Sequence, residues 1–180
     1  VMERIVAKIH AAKAISYLEV VSTTLASVVE SLTTAKKLGV QRLLGGTDLN
    51  AAKSVLGDLK GYYPFPGKPV GHPTKLGGSP ELVAEHCRTA RKQGCGGVDL
   101  LAYRATEADP IELVRAARGA LDGGLLIVAG SVSTPKQIRD LANAGADAFT
   151  IGSAALDGSF SPTKGALSSQ IADILAACRI

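Results

Sequence analysis

Residues 124–158 read GLLIVAGSVSTPKQIRDLANAGADAFTIGSAALDG, and the reading of this stretch decides the fold. Residues 125–129 and 148–151 are apolar runs too short for helices, and each leads into a glycine followed by a serine. Between them the punctuation predicts a helix. Thr134 stands at the N-cap, Pro135 at the first helical position and Gln137 where a capping box needs an amide. Ile138, Leu141 and Ala142 form the apolar stripe, and Gly145 ends the helix. Strand, helix and strand in so few residues imply a right-handed parallel βαβ unit.

The ends of the two strands carry the chemistry. Gly130-Ser131 and Gly152-Ser153 bring backbone N–H groups and small hydroxyls to the carboxyl edge of a parallel sheet, where the missing Cβ lets an anion approach. Consecutive late turns of this kind bind phosphate in (βα)8 barrels. The pair resembles the turns of the phosphate-binding barrels: ribulose-phosphate epimerase, phosphoribosylanthranilate isomerase, indole-glycerol-phosphate synthase and N-acylglucosamine-6-phosphate epimerase. The resemblance is good over residues 96–158 and looser over 15–78. It implies a TIM-barrel fold and a phosphorylated ligand held at Gly130, Ser131, Gly152 and Ser153, but no single reaction. The competing reading is that these glycines only make tight turns.

The 180 residues suit one domain, residues 1–180, with a substantial core. Hydrophobic residues make up 46% of the chain, with 20 glycines and no Trp, which suits an α/β protein whose strands end in glycine turns. No apolar run approaches the ~18–20 residues of a membrane span, and residues 1–14 read as a charged amphipathic helix without a signal-peptide core. Cys87, Cys95 and Cys178 are odd in number and lack metal spacing, so free thiols in a reducing cytoplasm are expected. The net charge of +4 is modest and dispersed, so nucleic acid is not an expected partner.

Along the chain, a helix over residues 2–14 has no strand before it. Strands follow at 15–22, 40–46, 61–66 and 97–104, each leading to a helix, and then come the two strands already named. Pro64 and Pro66 weaken the third strand. Residues 67–78 read as the longest irregular segment, and Ser161-Pro162 as the start of the closing helix. Six βα units are fewer than a barrel's eight. A (βα)8-type TIM barrel lacking its first one or two strands is expected, with an open doubly wound sheet as the alternative. No GxGxxG fingerprint follows the first strand, which favours the barrel, and no cofactor is expected.

Working groups in such sheets sit at or beyond the strands' carboxyl ends. Glu19 interrupts an apolar strand, so it is either paired, with Arg42 as the neighbouring cation, or a general acid or base with a pKa raised by burial. Alternation puts Asp99, Leu101 and Tyr103 on one face, with a structural role favoured for Asp99. Tyr103 and Arg104 are expected at a strand end, where the guanidinium suits a carboxylate or second phosphate. The long segment is expected to place Lys68, His72 and Lys75 over one mouth, fixed by Pro69 and Pro73, with His72 the acid/base candidate and Lys68, Lys75 or Arg104 stabilising a developing oxyanion. His10 and His86 are expected to be packing residues on helices.

The visible strands contain no lysine, which disfavours a Schiff-base aldolase. The Asp-x-Lys-x-x-Asp pattern of the orotidine and ketogulonate phosphate decarboxylases is missing, as is a metal-binding set of histidines and aspartates. The expectation is therefore an enzyme acting by acid/base chemistry on a phosphorylated sugar or sugar acid, an isomerase, epimerase or lyase. The alternative is a polyol-phosphate sensor resembling the glycerol-uptake antiterminator proteins, which act on RNA. A noncatalytic barrel kept for assembly is the third possibility. A small phosphorylated metabolite and a second copy of the chain are the expected partners, with no membrane.

Overall fold

In the structure, a computed structural model, residues 1–21 and 24–179 are described. The chain begins α1 (Met2–Ala11), β1 (Tyr17–Val20), α2 (Leu25–Lys37), β2 (Arg42–Gly45), α3 (Leu49–Leu56) and β3 (Tyr62–Tyr63). A hairpin of β4 (Lys68–Val70) and β5 (Lys75–Gly77) precedes α4 (Pro80–Lys92), β6 (Gly97–Leu100) and a 3-10 turn at Ala102–Arg104. Then come α5 (Pro110–Ala120), β7 (Leu125–Val128), α6 (Pro135–Asn143), β8 (Ala148–Phe149), α7 (Ser153–Leu156) and α8 (Leu167–Ala177). Of the first expected strand and helix, Ser22 and Thr23 lie outside the described residues.

All strands but the hairpin's are parallel. β1 pairs with β2 and β2 with β3, and β6 pairs with β7 and β7 with β8. The Asp99 N–H donates to the Pro64 carbonyl at 3.0 Å and the Gly96 N–H to the Tyr62 carbonyl at 3.2 Å, which joins β3 to β6. The strands thus follow one another across the sheet in chain order, stepping always the same way. A doubly wound sheet reverses at a switch point; this one does not. The architecture is the barrel type, with parallel strands inside and helices outside.

The two faces of the strands confirm that layering. Val20, Leu43, Tyr62, Val98, Leu100 and Val128 pack with helix residues such as Leu32, Val83, Cys87, Leu113 and Leu141 in one large core. Leu44, Tyr63 and Ile127 form a separate cluster on the opposite, inner face. Glu19 is in register with Leu44 and Asp99 with Ile127, so both carboxyl groups belong to the inner row.

Several boundaries differ from expectation for local reasons. β3 keeps only two paired residues, because Pro64 and Pro66 have no N–H to give. β6 stops at Leu100 rather than reaching Arg104, since the chain winds into the 3-10 turn. Residues 67–78 are not irregular: Lys68, Pro69 and Val70 pair with Gly77, Leu76 and Lys75 as an antiparallel hairpin. Leu76 is buried and its carbonyl takes the Thr106 N–H, while the Gly67 N–H donates to His86 Nδ1, so the hairpin is tied down on both sides. His86 is thus a tether as well as a packing residue. Helix α8 starts at Leu167 and not near Ser161. The Gln170 side chain accepts the Ser161 N–H and donates to the Ser161 and Lys164 carbonyls, holding the preceding segment as a loop.

Candidate functional site

The capping box of α6 builds one wall of the site. The Gln137 side-chain oxygen accepts the N–H groups of Ser133 and Thr134 at 2.8 and 3.1 Å, and its amide donates to the Ser131 carbonyl. The turn so held places both Gly130 (φ 79°) and Ser131 (φ 62°) in the left-handed region, an uncommon conformation for serine. Across from it, β8 ends and Gly152 opens the short helix α7. Among the described residues, the N–H groups of Gly130, Ser131 and Val132, and those of Gly152, Ser153 and Ala154, donate to no protein group.

These two turns line a cleft of about 490 Å³ together with Glu19, Arg104, Thr150 and Asp157. Arg104 lies across the first turn: a Cβ at Gly130 would come within 2.5 Å of its Nε. Its Nη1 donates to the Thr74 carbonyl of the hairpin at 3.4 Å. Glu19 keeps access to solvent, yet the protein packed around it raises its pKa, an effect the Arg104 charge partly offsets. The expected alternative of a Glu19–Arg42 ion pair is not formed. Arg42 donates instead to the Tyr17 hydroxyl and sits over the Tyr17 and Tyr63 rings, 5.2 and 5.9 Å from their centroids.

Below the cleft lies Asp99. It is 0% exposed, and neither carboxyl oxygen has a hydrogen-bond partner. Burial raises its pKa well above the ordinary carboxylate range, and the nearby Glu19 charge raises it further. On the rim, the Ser159 hydroxyl and N–H hold the Asp157 carboxyl below its usual value. One arginine therefore faces two carboxyl groups in the cleft, so an anion bound there depends on the backbone donors for much of its stabilisation.

The structure brings together Glu19, Arg104, Gly130, Ser131, Gly152 and Ser153. The other expected residues lie elsewhere. Lys68 lines a different depression, of about 390 Å³, with Val21, Asp48 and Phe65. His72 and Lys75 are exposed on the hairpin and line neither cavity, a correction to the single mouth expected for all three. Tyr103 is also corrected: the 3-10 turn carries its hydroxyl to within 3.5 Å of the Gln137 carbonyl, under α6 and out of the cleft. The buried Cys87 and Cys95 thiols are pushed up to about 12 and about 11 by desolvation, which makes them poor nucleophiles. Asp99, Thr150 and Asp157 are the additions. Asp99 faces inward, but the alternation expected to group it with Leu101 and Tyr103 ends with the strand at Leu100, and Leu101 packs in the large core; nor can sequence show that a carboxyl group lacks partners.

A parallel inner sheet, outer helices and a cleft at the strands' carboxyl ends define the TIM-barrel class. Comparison with solved structures supports that class. The chain is similar to orotidine 5'-phosphate decarboxylase from Pyrococcus horikoshii OT3, with TM-score 0.66 and 14% identity over 99% of this chain and 81% of that one. It is similar to the tryptophan synthase α-subunit from Pyrococcus furiosus, with TM-score 0.60 and 16% identity over 97% of this chain and 72% of that one. It also resembles a protein described as a deoxyribose-phosphate aldolase from Coccidioides immitis, with TM-score 0.53 and 19% identity; the match covers 75% of this chain and 56% of that one. No protein-family model and no curated protein matches the chain. At these identities the likeness is one of fold.

Proposed function

We propose that the chain is an enzyme that binds a phosphorylated sugar or sugar acid and moves a proton at the carbon next to its carbonyl. One observation carries this reading: a single cleft holds two turns of undonated N–H groups, an arginine, and a carboxyl group of raised proton affinity. The turns at Gly130-Ser131 and Gly152-Ser153 seat the phosphate. Glu19, ionised, takes the proton from the carbon; the C–H electron pair becomes a C=C bond and the carbonyl π pair moves onto oxygen. Arg104 stabilises the negative charge that develops there. Returning the proton to the same carbon from its opposite face gives an epimer; returning it to the former carbonyl carbon, with the neighbouring hydroxyl's proton passing to the carbonyl oxygen, gives an isomer.

A raised pKa suits Glu19 to the task, because a base works best when its proton affinity approaches the operating pH. The names of the similar structures, a decarboxylase and an aldolase among them, agree with phosphorylated substrates in general. The test is a panel of ketopentose and ketohexose phosphates and phosphorylated sugar acids, screened for binding by calorimetry and for exchange of the substrate's carbon-bound proton in D2O by NMR. At least one compound should bind more tightly than inorganic phosphate and lose its proton signal. Glu19→Gln should keep the binding and stop the exchange. If no phosphorylated compound binds, the reading fails.

A further inference from the structure

Asp99 is the buried ionisable group that the reaction above leaves without a task. Its side chain is fully enclosed and both oxygens lack a partner. A carboxylate in that state has lost its water and gained nothing, so the group must carry a proton. Strand register says what lies around it. Glu19 sits beside Leu44, Leu44 beside Tyr63, and the next residue, Pro64, accepts the Asp99 N–H. Glu19 and Asp99 therefore both face the inner space, in register with Leu44 and Ile127 of its apolar cluster, from strands that β2 and β3 separate.

The other charged or titratable groups of this inner space are accounted for. Arg42 is engaged by Tyr17 and stacked on Tyr17 and Tyr63, and Arg104 lies over Gly130 with its donor on Thr74. None of the three ion pairs among the described residues includes Asp99 or Glu19. Neither arginine is committed to Asp99, and no donor reaches it. Of the two inward-facing carboxyl groups, Asp99 is enclosed and cannot accommodate charge, whereas Glu19 lines the open cleft and touches water.

We propose that Asp99 and Glu19 form a one-proton carboxyl pair, in which Asp99 keeps the proton so that Glu19 stands ionised at the floor of the cleft. Asp99 is a positioning residue: it touches no ligand and acts through Glu19. This deepens the enzyme reading, because it explains how a base can remain charged beside a second carboxyl group. Were Asp99 to ionise, its charge would oppose that of Glu19, and the two protons would leave in coupled steps. Ionised Asp99 would also add negative charge beneath an anion cleft.

The pair can be tested without any ligand, so its failure is distinct from that of the enzyme reading. The side-chain carboxyl carbons of the intact chain are labelled with 13C and titrated by NMR, alongside infrared detection of the protonated C=O stretch. At pH 7 the wild type should show one protonated carboxyl group, and Asp99→Asn should remove it. Glu19→Gln should keep that signal and move its titration to lower pH, since the opposing charge is gone. In Asp99→Asn the Glu19 titration should lose any alkaline step. An ionised Asp99 at pH 7, or an Asp99 titration that Glu19→Gln leaves in place, overturns the pair. Should Asp99→Asn not fold, the Glu19→Gln shift alone decides.

Discussion

Asp99 makes a prediction about stability that needs no substrate. Its folded-state proton affinity is raised by burial, so between the unfolded pKa, about 4, and the folded one the native state holds a proton that the unfolded chain releases. The stability that this proton contributes is full below the unfolded value and is lost as pH rises through the folded one. Asparagine has nearly the same shape and does not titrate. Asp99→Asn should match the wild type near pH 4 and gain on it with rising pH, by up to about 1.4 kcal/mol per unit. Denaturant unfolding at a series of pH values checks this; a constant difference across pH would show that Asp99 is not protonated in the native state. Glu19 was legible in the sequence because one carboxylate broke an apolar strand. Asp99 was noticed for the same reason, yet its meaning rests on what fails to reach it, and a sequence lists neighbours only along the chain. Tyr103 and His72 misled because phenol and imidazole suggest chemistry wherever a strand or loop is drawn, and their placement depends on a turn and a hairpin that the sequence did not disclose.

At the scale of elements, the two glycine turns look alike in sequence and differ in physics. Gly130 needs its glycine twice, for a positive φ and for the passage of Arg104 over its backbone. At Gly152 φ is −120° and a Cβ would meet nothing within 4 Å, because the space beyond is cleft. Gly130→Ala should therefore cost about 1–2 kcal/mol of stability and displace Arg104. Gly152→Ala should stay within about 0.5 kcal/mol of the wild type and lose phosphate affinity roughly tenfold, the equivalent of about 1.4 kcal/mol. Thermal unfolding and calorimetry on the two variants separate these effects, and unchanged affinity in Gly152→Ala would remove the second turn from the site. The strongly punctuated βαβ unit was readable because Thr134, Pro135 and Gln137 each make the local contact their type predicts. The β4–β5 hairpin was not, since its prolines and glycines signal an irregular chain and its pairing is fixed by a distant partner, the Leu76 docking beside Ala105.

For the whole molecule, strand order is the fact that settles the architecture: one βα unit after another, always advancing the same way around the inner space. Helix caps and short apolar runs made the succession of units visible in advance; the direction of advance appears only in the pairing. The cleft draws on elements from both ends of this succession, β1 on one side and the turns after β7 and β8 on the other. Arg104 touches both the first turn and the hairpin, lying on Gly130 while donating to Thr74. At 3.4 Å that hydrogen bond is a weak one. An anion arriving at the turn would compete for the same guanidinium and loosen its hold on Thr74. Backbone amides of β4 and β5 should exchange with deuterium faster when a phosphorylated ligand saturates the cleft, and Arg104→Gln should abolish the difference; equal exchange with and without ligand in the wild type would rule the link out. The hairpin would then be less a wall of the cleft than its gauge, a strip of surface whose breathing reports whether the barrel is loaded.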